Sequence, residues 1–270
     1  MLELSRTVRV PLGASSAAGL GQGLVGMPGP RGLAPTVDLE VVCRGRPDAT
    51  GYLVDIGAID RAVRETAQPL LRRALLEELA LAESGESGAM PPDASVVALL
   101  RRIAALLAIR LPAPVVHLAY HPSPFRGVLL TRPDEDTPMH ATLHETFEFA
   151  ASHRLHLAGR SDEENRALFG KCNNPNGHGH NYRIEVAVEP GPAFPGFDAI
   201  ERCVEREVMA RFDHRHLNLD CPEFRDLNPS VENIARVCHD LLAPAFEAEG
   251  GTLRFVRVWE TEKTSCRYPG

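Results

Sequence analysis

The chain reads as an α+β protein of two tandem domains, each running strand–strand–helix–helix–strand–strand. Segments that alternate apolar and polar residues are followed by longer segments of helical period, and then by two more short alternating segments. That order occurs twice, at an offset of about 135–143 residues, which marks a duplicated domain rather than a solenoid. The Pro/Asp/Thr-rich stretch Arg132–Pro138 separates the two copies, so the expected domains are residues 1–137 and 138–270.

In the second half, Thr146 to His153 alternates as a strand with Phe147, Phe149, Ala151 and His153 on one face. After a loop, a second strand runs from about His180 to Glu189, with Tyr182, Ile184, Val186 and Val188 inward and Arg183, Glu185 and Glu189 outward. A helix from about Asp198 aligns Ile200, Cys203, Val204, Val208 and Phe212 on one face. The next helix follows Asn228-Pro229, read as an N-cap with proline at the first helical position. Its stripe is Ile234, Val237, Cys238, Leu241 and Leu242. Gly250-Gly251 ends it, and strands near Thr252–Glu260 and Lys263–Tyr268 close the domain.

The first half offers Thr7–Val10 and Val37–Cys43 as strands and Asp55 to about Leu79 as a helix. A loop rich in Gly, Ser and Pro spans Ser84–Pro92, and Asp93 caps a second helix with Val96, Leu99, Leu100, Ile103 and Leu107 as its stripe. Pro114–Tyr120 and Gly127–Leu130 would form the closing hairpin. Gly51-Tyr-Leu-Val-Asp55 resembles Gly196-Phe-Asp198 in placing an acid at a helix start.

At 270 residues, with 44% hydrophobic and 24% charged residues, the composition is that of a soluble globular protein. A net charge of −7 and the lack of Lys/Arg runs argue against a nucleic-acid partner. Arg101, Arg102 and Arg110 interrupt the most apolar stretch, Ala94–Leu111, so no membrane span is expected. The N-terminal MLELSRTVRV lacks the apolar core of a signal peptide. Six cysteines without a CxxC pair read as reduced thiols in the cytoplasm, with Cys203 and Cys238 in the core.

The most informative segment is Cys172-Asn-Asn-Pro-Asn-Gly-His178-Gly-His180-Asn-Tyr182. Histidines at i and i+2 on a strand share a face, as two ligands of one metal must. His153 ends the preceding inward stripe, and antiparallel pairing of the two strands brings it near them. Three neutral imidazoles with one open position match a catalytic zinc site, whereas structural zinc usually has four protein ligands including thiolates.

Residues 146–270 resemble the 6-pyruvoyltetrahydropterin synthase family, which includes the 6-carboxytetrahydropterin synthases of queuosine biosynthesis. The resemblance rests on Ala-Ser-His153-Arg-Leu, Glu-Glu-Asn165, Phe-Gly-Lys-Cys172-Asn-Asn-Pro-Asn-Gly-His178-Gly-His180, Phe-Asp213-His214-Arg-His-Leu-Asn218, Asn-Pro-Ser-Val-Glu232-Asn233 and Trp-Glu260-Thr261-Glu262. It implies the tunnelling fold: a four-stranded antiparallel sheet with two helices on one face, assembling through sheet edges into homo-oligomeric barrels with active sites between subunits.

The activity implied is a zinc-dependent lyase reaction converting 7,8-dihydroneopterin triphosphate to 6-pyruvoyltetrahydropterin and triphosphate. Zinc on His153, His178 and His180 would acidify the side-chain hydroxyls of the substrate. Cys172 would be the base, and Asp213-His214 a second proton relay. Glu260 would accept hydrogen bonds from the pterin edge, with Thr261, Ser230, Val231 and Glu232 as further substrate contacts. Many relatives have a hydroxyl residue where this chain has Val231, which puts one hydrogen bond in doubt. Lys171, Arg154, Arg215 and Lys263 are candidate cations for the triphosphate, which could also carry Mg2+. His156 and His216 are read as loop histidines outside the ligand set.

Five residues between Cys172 and His178 match the pyruvoyl branch, since the queuosine branch usually has three. A 6-carboxy product and a non-catalytic pterin- or zinc-binding scaffold remain the alternatives. The first half has no histidine before His117; its only cysteine, Cys43, lies within a strand, and Tyr120 aligns with Glu260. The loop Gly21–Pro35 carries none of the Cys/His motif. This half is read as a degenerate copy lacking metal ligands, either completing the ring or offering a separate binding surface.

Overall fold

The computed structural model describes residues 1–12, 35–84, 92–134 and 136–270. Most of the loop expected over Gly21–Pro35, most of the loop expected over Ser84–Pro92, and the side chain of Asp93 lie outside the described residues. The chain forms two compact units, Met1–Thr142 and Leu143–Gly270.

In the first unit, β1 (Leu2–Pro11), β2 (Thr36–Gly45), β3 (Val115–Ser123) and β4 (Arg126–Thr131) form an antiparallel meander in that order. Two helices, α1 (Ile56–Ser84) and α2 (Pro92–Arg110), stand between β2 and β3 in sequence. The alternation along β2 sends Val37, Leu39, Val41 and Cys43 into the core, where α1 adds Ile59, Val63 and Ala67 and α2 adds Leu100, Ile103 and Leu107. Asp55 starts α1 by accepting the Gly57 amide at 3.0 Å, and Arg6 on β1 grips Asp60 on α1 with two hydrogen bonds of 2.9 and 2.8 Å.

The second unit is built on β5 (His140–His153), β6 (His178–Pro190), β8 (Gly251–Thr261) and β9 (Thr264–Tyr268), antiparallel in the order β5-β6-β8-β9. A two-residue strand β7 (Arg215–His216) lies parallel to β5. Tyr182, Ile184, Val186 and Val188 are fully buried, as their alternation predicted, while Phe147 on β5 is only half-buried. Ile200, Cys203, Val204, Val208 and Phe212 also share one buried face. Their helix is α4 (Phe197–Val204), continued by a π-helical turn at Glu205–Met209 and the short α5 (Ala210–Phe212).

The second long helix, α7 (Val231–Ala248), begins later than Asn228-Pro229. Ser230 is its N-cap, extended at φ −70° and ψ 160°, with its hydroxyl accepting the Asn233 amide. Ahead of the cap, the Asn228 side chain accepts the His156 amide and the Pro229 carbonyl meets His153 Nδ1. Within the loop expected between the strands of His153 and His180, the chain forms α3 (Asp162–Phe169). Ser161 and Glu164 close a reciprocal capping box there, a signal legible in Ser-x-x-Glu. Among the described residues no helix is long and apolar enough to cross a membrane.

Phe212 is fully buried, with its ring 5.5 Å from that of Phe224. Phe212→Ala is expected to destabilise the second unit by about 3–5 kcal/mol. The single tryptophan, Trp259, lies in this unit. The shift in urea midpoint can therefore be followed by tryptophan fluorescence.

Candidate active site

The register between β5 and β6 sets His153 directly opposite His178 and Ala151 opposite His180. Cross-strand partners and i, i+2 neighbours share a sheet face, so the three rings converge. Their centroids are 4.5, 5.2 and 4.8 Å apart, and one ring nitrogen from each lies within 4.8 Å of the others. Among the described residues they are the one such cluster of His, Cys, Asp and Glu.

His153 is fully buried, and its Nδ1–H donates to the Pro229 carbonyl at 2.7 Å. A carbonyl only accepts, which fixes the tautomer and leaves the Nε2 lone pair facing the other rings. Burial, more than the neighbouring imidazoles, holds the His153 pKa down to about 4. Burial and His180 also lower that of His178.

His153 Nε2 and His178 Nε2 are 3.1 Å apart, and His180 Nε2 is buried without a hydrogen-bond partner. Tetrahedral zinc with bonds near 2.0–2.1 Å spaces its nitrogen ligands by about 3.3 Å, close to the His153–His178 separation, and the third nitrogen lies within 4.8 Å of both. Imidazole donors also suit copper, iron and nickel.

The Glu260 carboxylate stands 3.5 Å from His153 Nε2 and 3.8 Å from His180 Nε2. This acid, expected at the substrate edge, therefore borders the ligand cluster itself. The buried Tyr182 hydroxyl lies 3.3 Å from His153 Nδ1. Burial first, then Glu260 and Cys172, push its pKa up and keep it protonated. The sequence assigned Tyr182 to the core alone, although its place two residues beyond His180 on the same face put it near the site.

Cys172 lies half-buried in a 3-10 turn, Gly170–Asn173, and its carbonyl accepts the Leu155 amide at 2.9 Å. Asp213 and His214 form the expected pair, with His214 Nδ1 2.8 Å from Asp213 Oδ2. The other Asp213 oxygen accepts the Ala150 amide at 2.9 Å, and that bond, more than His214, lowers its pKa. His214 has a positive φ of 56°, and its side chain is 82% exposed. It faces solvent in a cleft of about 510 Å³ shared with Ser152, His180, Asn181, Arg215 and His216.

The remaining expected contacts are dispersed. Ser230 is engaged as a helix cap, Val231 is buried and Glu232 is exposed at the start of α7. The Thr261 hydroxyl accepts the Lys263 amide in the β8–β9 turn. Lys171, Arg215 and Lys263 are exposed, whereas Arg154 is half-buried with its Nε unpartnered. His156 Nδ1 lies 3.1 Å from the Asn173 amide nitrogen. His216 packs over Gly177, where an added Cβ would sit 2.7 Å from its Nε2. Neither histidine belongs to the cluster.

Residues 142–270 match the family model described as 6-pyruvoyl tetrahydropterin synthase. The curated 6-pyruvoyl tetrahydrobiopterin synthase of Homo sapiens is 40% identical over 135 residues, covering 48% of this chain and 92% of that protein. The Poecilia reticulata protein of the same name is 40% identical over 129 residues, covering 45% of this chain and 85% of its own length. A solved structure of the Caenorhabditis elegans 6-pyruvoyl tetrahydropterin synthase aligns at 34% identity and a TM-score of 0.44, covering 48% of this chain and 94% of that one. Through its second half, the chain belongs to the 6-pyruvoyl tetrahydropterin synthase family.

Proposed function

We propose that the second unit is a zinc-dependent lyase that converts 7,8-dihydroneopterin triphosphate to 6-pyruvoyltetrahydropterin and triphosphate. The observation that carries this reading is the convergence of three imidazoles, one oriented by the Pro229 carbonyl, beside the turn that holds Cys172. The names of the fish and human relatives support the product.

Zinc, when bound, supplies Lewis-acid polarisation of substrate oxygens, which makes the adjacent C–H bonds more acidic. His153, His178 and His180 would hold it through one ring nitrogen each. Cys172 takes the proton as thiolate, and Asp213 orients His214 to move a second one. Glu260 accepts hydrogen bonds from the amino-pyrimidine edge, with Thr261, Ser230, Val231 and Glu232 around the ring. Arg154, Lys171, Arg215 and Lys263 are the pool of cations for the triphosphate, with Mg2+ as a further counterion.

The first unit reads as a degenerate copy of the same tunnelling fold. It repeats the order and antiparallel meander of the second unit, and the ligand cluster is found only in the second unit among the described residues. Among those residues β1 pairs with β2 alone and β9 with β8 alone, so each leaves an edge able to accept a neighbour. A homo-oligomeric barrel closed through such edges, with the first unit standing in for a subunit, accounts for both features. The six free thiols support a reducing, cytoplasmic setting.

Purified zinc-loaded protein incubated with 7,8-dihydroneopterin triphosphate should yield 6-pyruvoyltetrahydropterin by mass spectrometry. A 6-carboxy product with acetaldehyde would move it to the other branch, and no turnover despite bound zinc would leave a binding scaffold. Cys172→Ala should lower turnover by at least about a hundredfold with zinc content unchanged; unaltered turnover would remove Cys172 from the mechanism.

The sign of the acid response follows from His153. Between its ordinary pKa of 6.5 and about 4, the unfolded chain takes up a proton that the folded one does not. Stability of the metal-free second unit should therefore be full above pH 6.5 and fall as pH drops toward 4. Urea midpoints across that range should show this slope, and His153→Gln should flatten it.

A further inference from the structure

We propose that Asn173 is a positioning residue that fixes Cys172 relative to the metal ligand His153. This inference rests on the reading of Cys172 as the base. Asn173 is 2% exposed and follows Cys172 in the 3-10 turn. Its side-chain amide donates to the Leu155 carbonyl at 2.7 Å, while the Leu155 amide donates to the Cys172 carbonyl at 2.9 Å. Cys172 and Asn173 thus grip both backbone polar groups of Leu155, the second residue beyond His153. The other Asn173 N–H reaches His156 Nδ1 at 3.1 Å, and Arg154 Nη2 approaches its carbonyl oxygen at 3.4 Å.

Every donor and acceptor of the Asn173 side chain is therefore spent on residues 154–156. The effect is to weld the turn to the strand exit by a contact spanning 18 positions in sequence. The placement of the Cys172 turn relative to His153 is then set by one backbone bond and one buried amide, with no long flexible side chain between. Turnover is sensitive to such placement, because a displacement of about 1 Å can cost about a hundredfold in rate.

Asn165 supplies the control. It is equally buried and also clasps this segment, accepting the Leu157 amide at 2.8 Å and donating to the Leu157, Arg160 and Ser161 carbonyls, and none of these bonds goes to the Cys172 turn. The experiment compares zinc-loaded wild type, Asn173→Ala and Asn165→Ala for kcat, KM, zinc content, melting temperature and the rate of Cys172 alkylation by iodoacetamide, resolved by peptide mass spectrometry. For Asn173→Ala, kcat should fall at least about tenfold with KM within about twofold, zinc unchanged and Cys172 alkylation several-fold faster. Asn165→Ala should lower the melting temperature yet keep wild-type kcat and Cys172 alkylation.

Asn173→Asp keeps the size and the acceptor oxygen but loses both donors, and it should repeat the alanine result where that variant does not fold. Wild-type kcat and alkylation in the Asn173 variants, or equal changes in Asn165→Ala, would overturn the proposal. If the wild type turns over no 7,8-dihydroneopterin triphosphate, the functional reading alone fails. The alkylation comparison then still decides whether Asn173 places the thiol.

Discussion

The register of the β5–β6 ladder brings three imidazoles to ring separations of 4.5–5.2 Å, and much of the second unit serves that convergence. Burial holds the His153 pKa down to about 4, although the Glu260 carboxylate stands 3.5 Å from its Nε2. The Pro229 carbonyl keeps the Nδ1–H in place and the lone pair forward. The opposition of His153 and His178 across the β5–β6 ladder then makes the spacing a property of the sheet rather than of any loop. A one-residue slip of that ladder would turn the rings of one strand to the other face. The fully buried row Tyr182, Ile184, Val186 and Val188 opposes that slip.

Around this centre, asparagine amides substitute for missing secondary structure. Just past His153 the chain leaves the sheet, and its backbone groups need partners. Asn218 meets both polar groups of Arg154, at 2.8 and 3.0 Å, and Asn228 accepts the His156 amide at 3.0 Å. Asn165 and Asn173 take the groups between and beyond. The segment that follows His153 is thereby tied to the turn of Cys172, the stretch after His214 and the approach to α7, three regions far apart in the chain.

Much of this was legible in the sequence, and the boundary is physical. Period-two alternation announced β6, and helical period announced the face of Ile200, Cys203, Val204, Val208 and Phe212, because both signals are local. The i, i+2 histidines announced the cluster for the same reason. The Pro229 contact joins residues 76 apart, and nothing in either neighbourhood marks it. Nor does composition mark the π-helical turn at Glu205–Met209 or the two-residue strand Arg215–His216, which is too short for any period to show. In the first unit the same patterns hold a core: Cys43 lies fully buried with its thiol pKa raised to about 11, and Tyr120 faces Leu39 and Val128 across the sheet.

Glycine stands on both sides of His178, but the two positions are not equivalent. At Gly179 an added methyl group would rest 3.6 Å from the Ala151 carbonyl oxygen, an ordinary contact. At Gly177 the backbone is left-handed, φ +74°, and the space a methyl would need is taken by the His216 ring. The repertoire of substitutions is therefore lopsided across two neighbouring positions: alanine can be accommodated after the ligand and not before it. Any drift at residue 177 would have to be matched by a smaller residue at 216 and a relaxed turn, so these two sites are bound to change together or not at all.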